Sequence, residues 1–169
     1  MKDGIRILGI DPGSRITGYG IIDARRNQAA LVHWGTIRTD GDHSDRLRQI
    51  FADLSDLVAE YHPAEIAVER VFVNKNADSA LKLGQARAAA LCATFQFDLP
   101  IFEYAARHVK KAVVGSGAAD KNQVQHMIKM LLGMPEVPKE DAADALAVAL
   151  CHSNERNTHA MFREAAIQS

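Results

Sequence analysis

The chain opens with short apolar runs separated by turn residues, then changes to a helical period. "IRILGID" is an apolar run ending in Asp11, and the turn "PGS" leads to "ITGYGIID", whose glycines and β-branched residues suit a second strand paired back by a hairpin. "ALVHWGTIR" predicts a third strand. From Ser44, the residues Leu47, Ile50, Phe51, Leu54, Leu57, Val58 and Tyr61 recur at helical spacing, with Ser44 as the expected cap and Pro63 as the stop. "EIAVERVFV" predicts a fourth strand, and a strand, helix, strand order favours pairing parallel to the first.

A helix over 77–97 follows, with Ala77, Ala80, Leu81, Gly84, Ala88, Leu91 and Phe95 on one stripe and Leu83, Ala90 and Thr94 beside it. One sheet cannot easily cover so wide a stripe. Two readings stand: dense packing on the chain's own sheet, or partial burial against a second copy. "LPIFEYA" predicts a fifth strand, "GSGAADKNQ" a glycine-containing loop, and Lys121 to Leu132 a helix ended by "GMPEVP". "KEDAADALAVALC" then predicts a last helix that buries Ala143, Leu146, Ala147 and Leu150. The pattern gives one domain over residues 1–152. Past His152 there is no sustained apolar stripe, so residues 153–169 are expected to form a frayed or mobile tail.

Composition narrows the class without changing this layout. At 169 residues, 47% hydrophobic and 24% charged, the chain suits a soluble domain that needs no disulfide or metal staple. The apolar run before Asp11 is too short for a signal peptide and no stretch approaches a membrane span, so the expectation is a cytoplasmic protein with no membrane partner. Cys92 and Cys151 both sit in apolar helical patterns and are expected to be buried free thiols.

A net charge of -1 argues against binding nucleic acid through total charge alone, but the charges are segregated. Residues 70–87 carry Arg70, Lys75, Lys82 and Arg87 against Asp78, a net +3. Residues 106–130 carry Arg107, Lys110, Lys111, Lys121 and Lys129 against Asp120, a net +4, whereas residues 131–169 total -3. Such separation fits either solvated helix faces or a charged ligand held beside cations.

The acids are the most informative residues. Asp141 and Asp144, three apart, project from neighbouring positions on one helical face, next to residues the helix must bury. They either suit a helix start after Pro138, where the macrodipole favours acids, or hold something positive. Asp11 ends the first strand and Glu69 follows "IAV" in the fourth; neighbouring strands lie about 4.8 Å apart, so carboxylates at matching heights can share ions. Four carboxylates without cations would repel one another, and oxygen ligands alone select hard ions, chiefly Mg²⁺ or Mn²⁺. A pair of such ions suits in-line displacement at phosphorus, which favours phosphodiester hydrolysis. The seven histidines are scattered and no Walker-type loop is present.

Four blocks, "GIDPGSRITGYGII", "VERVFVNKNADSALKLGQARAAAL", "FEYAARHVKKAVVGSGAADKNQVQHMI" and "EDAADALAVAL", in this order, resemble the RuvC family of Holliday junction resolvases from about Ile7 to Cys151. The resemblance implies an α/β, RNase H-like fold, a five-stranded mixed sheet flanked by helices with the first three strands antiparallel. It implies that Asp11, Glu69, Asp141 and Asp144 bind Mg²⁺, with Mn²⁺ able to substitute and two ions in each subunit. The family's two functional lysines fall on Lys110 and Lys121, the latter in the catalytic set, and its base-contacting aromatic falls on Phe72. Arg70, Lys75, Arg107 and Lys111 are further candidates for DNA contact; Arg70 could instead meet a carboxylate.

The implied protein is a homodimeric endodeoxyribonuclease that nicks four-way junction DNA symmetrically in recombination and repair, working with the RuvA and RuvB branch-migration proteins. An RNA-processing nuclease of YqgF type is the rival within the fold, against which Phe72 and "NKNADSALKLGQARA" count. A catalytically silent junction binder and an actin-like phosphotransfer fragment are rivals from other classes.

Overall fold

The computed structural model describes residues 4–26, 28–70 and 76–167, with side chains through Thr158. Five strands, β1 (Ile5–Asp11), β2 (Ile16–Arg25), β3 (Gln28–Arg38), β4 (Glu65–Arg70) and β5 (Ile101–Ala105), form one sheet in the order β3-β2-β1-β4-β5. The first three strands are antiparallel neighbours, and β4 runs parallel to both β1 and β5. Five helices cover the faces: α1 (His43–Tyr61), α2 (Ala77–Phe95), α3 (Ala106–Val114), α4 (Lys121–Leu132) and α5 (Glu140–Ile167). Among the described residues no helix is long and apolar enough to cross a membrane.

Alternation along the strands divides the core in two. Leu8, Ile10, Ile21, Ile66 and Val68 pack with α1 and α2, and Ile7, Ile22, Ala24 and Ala67 pack with α3, α4 and α5. Helix α1 is capped two residues earlier than its apolar period suggests. Its cap is Asp42, whose side chain accepts from Asp45 N at 3.0 Å, rather than Ser44. An aspartate caps as well as a serine does, and the capping position is set by where the backbone leaves the extended region. The helix stops at His62, in the left-handed region at φ 49°, directly before Pro63.

Helix α3 was not predicted. Its nine residues follow the N-cap Ala105, which makes no side-chain cap bond, and are closed by the C-cap Gly115, φ 86°. Too short to display a full stripe, it depends on Val109 and Val113 being buried by neighbours. Cys92 is exposed on α2, correcting the expected buried thiol, while Cys151 is buried. The α2 period carries Cys92 away from the side that packs, which consists of Ala86, Ala90, Ala93 and Thr94.

Helix α5 is buried from Ala142 to Ser153, Asp144 excepted, and continues as helical backbone past His152 to Ile167. It lies unusually close to the sheet because glycines form the floor. Gly9 and Gly20 are paired across β1 and β2; a Cβ on Gly9 would sit 2.1 Å from Ala145 O, and one on Gly20 would sit 2.4 Å from Leu146 Cδ2. Farther along, buried His152 is held between Tyr104 and Glu65, with Nδ1 2.7 Å from the tyrosine hydroxyl and Nε2 2.6 Å from Glu65 Oε2. The Phe102 ring stacks on the imidazole at 4.3 Å, and Arg156 pairs with the other oxygen of Glu65. Each polar atom buried here therefore has a partner, as a low-dielectric interior demands.

Candidate active site

Asp11 closes β1, and Ile10 is level with Val68 of β4, so the next residues along these parallel neighbours are Asp11 and Glu69. Alternation turns both onto the face covered by α5, with Ile7, Gly9 and Ala67. The start of α5 supplies the remaining acids. Its position follows from Gly18, the β2 partner of Asp11: a Cβ there would lie 1.8 Å from the carbonyl oxygen of Asp141. Only a bare backbone allows this approach, which brings Asp141 and Asp144 to the end of β1.

Three carboxyls register the crowding. Burial first, then the charges of Glu69, Asp144, Asp141 and Glu140, push Asp11 up to about 8. Burial and then Asp144 raise Glu69 to about 7, opposed by Lys110. Burial followed by Glu140 raises Asp144 to about 6, with Lys110 and Lys121 pulling the other way. The four predicted acids thus share one electrostatic neighbourhood, drawn from β1, β4 and α5. Among the described residues, no three His, Cys, Asp or Glu side chains stand close enough together to hold a metal ion as they are oriented here. The all-oxygen donor set and its mutual repulsion nevertheless fit a hard divalent cation, which would relieve that repulsion.

Two of the predicted cations border these acids. Lys110, on α3, acts on Glu69 and Asp144. Lys121, the first residue of α4, places Nζ 2.5 Å from Glu140 Oε1, and this pairing raises its pKa, with smaller contributions from Asp144 and Asp141. Arg107 lays its side chain against Gly117, and Lys111 is exposed on α3. Arg70 lies on the opposite face of the sheet from Glu69, with Nε 3.8 Å from Glu103 Oε2; Arg87 Nη2 approaches the other oxygen of Glu103 at 2.5 Å. Phe72 and Lys75 lie outside the described residues. Sequence reasoning passed over Glu140 as a site residue, although its spacing of four from Asp144 places both on one helical face.

The sheet order and the helices on its two faces define an RNase H-like protein. The profile of the family described as "Crossover junction endodeoxyribonuclease RuvC" matches residues 7–152, and the chain belongs to this family. A RuvC of Tolumonas auensis is 56% identical over 153 residues, covering 90% of this chain and 88% of that relative. One from Citrifermentans bemidjiense is 55% identical over 159 residues, or 93% and 97% of the two chains. Among solved structures, T. thermophilus RuvC in complex with Holliday junction substrate superimposes with a TM-score of 0.85 at 31% identity, covering 92% of this chain and 96% of that one. The yeast mitochondrial Holliday junction resolvase Ydc2 shares the fold, with a TM-score of 0.63 at 13% identity over 90% and 82% of the chains.

Proposed function

We propose that this endodeoxyribonuclease resolves four-way DNA junctions by metal-dependent phosphodiester hydrolysis, with Asp11, Glu69, Asp141 and Asp144 as the ion ligands. The observation that carries the reading is the gathering of these acids at the end of β1, where burial and then neighbouring carboxylates raise the pKa values of Asp11, Glu69 and Asp144. Two Mg²⁺ ions, replaceable by Mn²⁺, would supply an activated water and stabilise the leaving oxygen. The carboxylates orient that chemistry while burial keeps bulk water from screening it. Lys121 is the catalytic cation on the phosphate side, and Lys110 offsets negative charge between Glu69 and Asp144. Family membership favours this reading over an RNA-processing nuclease of YqgF type.

DNA contact is assigned to the basic α3 residues Arg107, Lys110 and Lys111 and to Arg70 at the end of β4; Lys75 is assigned on the sequence alone. Phe72 is assigned to the junction's bases on the resemblance alone. The working unit is a homodimer, one acidic site for each of two equivalent strands. Support comes from α2, where Leu81 is 62% exposed and Gly84 has open space around its Cβ direction, so this part of the apolar stripe lacks cover among the described residues. The nuclease occupies residues 1–152, acts in the cytoplasm, and works with RuvA and RuvB as its family implies.

Incubating a labelled four-way junction, a linear duplex and a hairpin RNA with the protein, in Mg²⁺ or in chelator, tests this function. Paired nicks in the junction alone, dependent on Mg²⁺, are expected. Equal cleavage of RNA, or binding without cleavage, would refute it.

A further inference from the structure

The pairing of Lys121 with Glu140 joins the first residue of α4 to the first residue of α5. Both side chains are largely solvent-accessible, so the pair adds little to fold stability. Its consequence is where it holds the ammonium. Lysine is a rotamer-rich side chain, and one at an exposed helix start would otherwise sample a wide arc of solvent.

The backbone on each side of this pair is fixed. A reciprocal capping box of Asp120 and Gln123 sets the start of α4. The side chain of Gln125 donates to Pro138 O at 2.8 Å, tying α4 to the segment that leads into α5. Gly18 fixes the other end of the same junction through Asp141. Glu140 is therefore a carboxylate of defined position, adjacent in sequence to one assigned metal ligand and one helical turn from another, Asp144.

We propose that Glu140 is a positioning residue that seats the Lys121 ammonium beside Asp141 and Asp144, ready for the scissile phosphate, and that it acts on cleavage only through Lys121. This inference rests on the reading of Lys121 as the cation on the phosphate side. Preorganisation of a charged group removes a cost that would otherwise fall within the transition state. Glu140 itself touches neither the phosphate nor the ions in this scheme.

The test is single-turnover cleavage of a labelled four-way junction in Mg²⁺ by wild-type dimer, E140Q, E140D, K121A and E140Q/K121A. Junction affinity is measured separately in chelator. E140Q should cleave about tenfold more slowly at saturating protein with affinity within about twofold of wild type, and E140D should recover part of the rate. The double variant should be no slower than K121A. Lysine-selective NMR supplies a second readout, independent of residual activity: the Lys121 ammonium signal, restrained in wild type, should become that of a free surface lysine in E140Q.

A wild-type or faster rate in E140Q overturns the proposal, as does an unchanged Lys121 signal or a full additional loss in the double variant. K121A cleaving normally would refute the prior reading of Lys121, and the role of Glu140 with it. K121A slow beside an unaffected E140Q would refute Glu140 alone.

Discussion

Gly18 and the carbonyl of Asp141 are in such close contact that a Cβ on the glycine would lie 1.8 Å from the oxygen. The neighbour is backbone, so it cannot turn aside as a side chain would. Gly18→Ala should destabilise the fold by about 1–3 kcal/mol through overpacking, and should cost cleavage more than junction affinity because α5 must lift its acids from Asp11. Thermal melts and single-turnover rates compare the two losses. A melting temperature and rate both equal to wild type would contradict the close contact.

Asp11→Asn should lose several orders of magnitude in cleavage while keeping junction binding. It should also alter stability in chelator. The folded Asp11 value, raised to about 8 by burial and neighbouring acids, stands above its ordinary 3.8. The folded chain thus binds a proton that the unfolded chain releases, giving a contribution complete below about pH 4 and lost as pH rises through about 8. Melting temperatures of the metal-free protein should decline with pH across that window, less steeply in Asp11→Asn. Identical slopes would exclude Asp11 as the source.

The proximity of the four acids was legible in the sequence, and what was not has physical causes. Asp11 and Glu69 end apolar strand runs, and Asp141 with Asp144 open a buried helix, so local periodicity placed all four. The boundaries predicted for α4 coincide with Lys121–Leu132 because Asp120, Gln123 and Gly133 mark its ends with local chemistry. Helix α3 carries no such start signal. The glycines at positions 9, 18 and 20 looked like strand glycines; their use becomes visible only when α5 crosses them. Likewise, the partners of Arg70 and Lys121 are Glu103 and Glu140, supplied by other elements at distances along the chain that no local pattern encodes.

Gly84 presents the opposite case to Gly18, since among the described residues nothing beyond its own stretch of helix lies within 4 Å of its ideal Cβ. Gly84→Trp should leave the monomer folded and weaken the dimer, which sedimentation at several concentrations would detect. A mixed dimer carrying one Asp11→Asn subunit should nick one strand and stall. Efficient paired nicking by that mixed dimer, or a monomer on junction DNA, would sink the two-site scheme.

Phe72 is expected to stack on a base exposed at the junction centre, a contact worth about 1–3 kcal/mol. Phe72→Ala should therefore impair junction opening, followed by fluorescence of a base analogue, with little change in melting temperature. A large thermal loss would instead make this phenylalanine part of the core.

The two attachments of α5 have a mechanical consequence. One is at Asp141, against Gly18; the other is at His152, gripped by Glu65 and Tyr104. At 1.5 Å per residue they are about 16 Å apart along the axis. A rod clamped at two such points can neither roll nor slide without breaking one of them. Tension from a bending junction arm would accordingly be borne by the whole sheet, and the acids at the rod's tip would keep their aim under load.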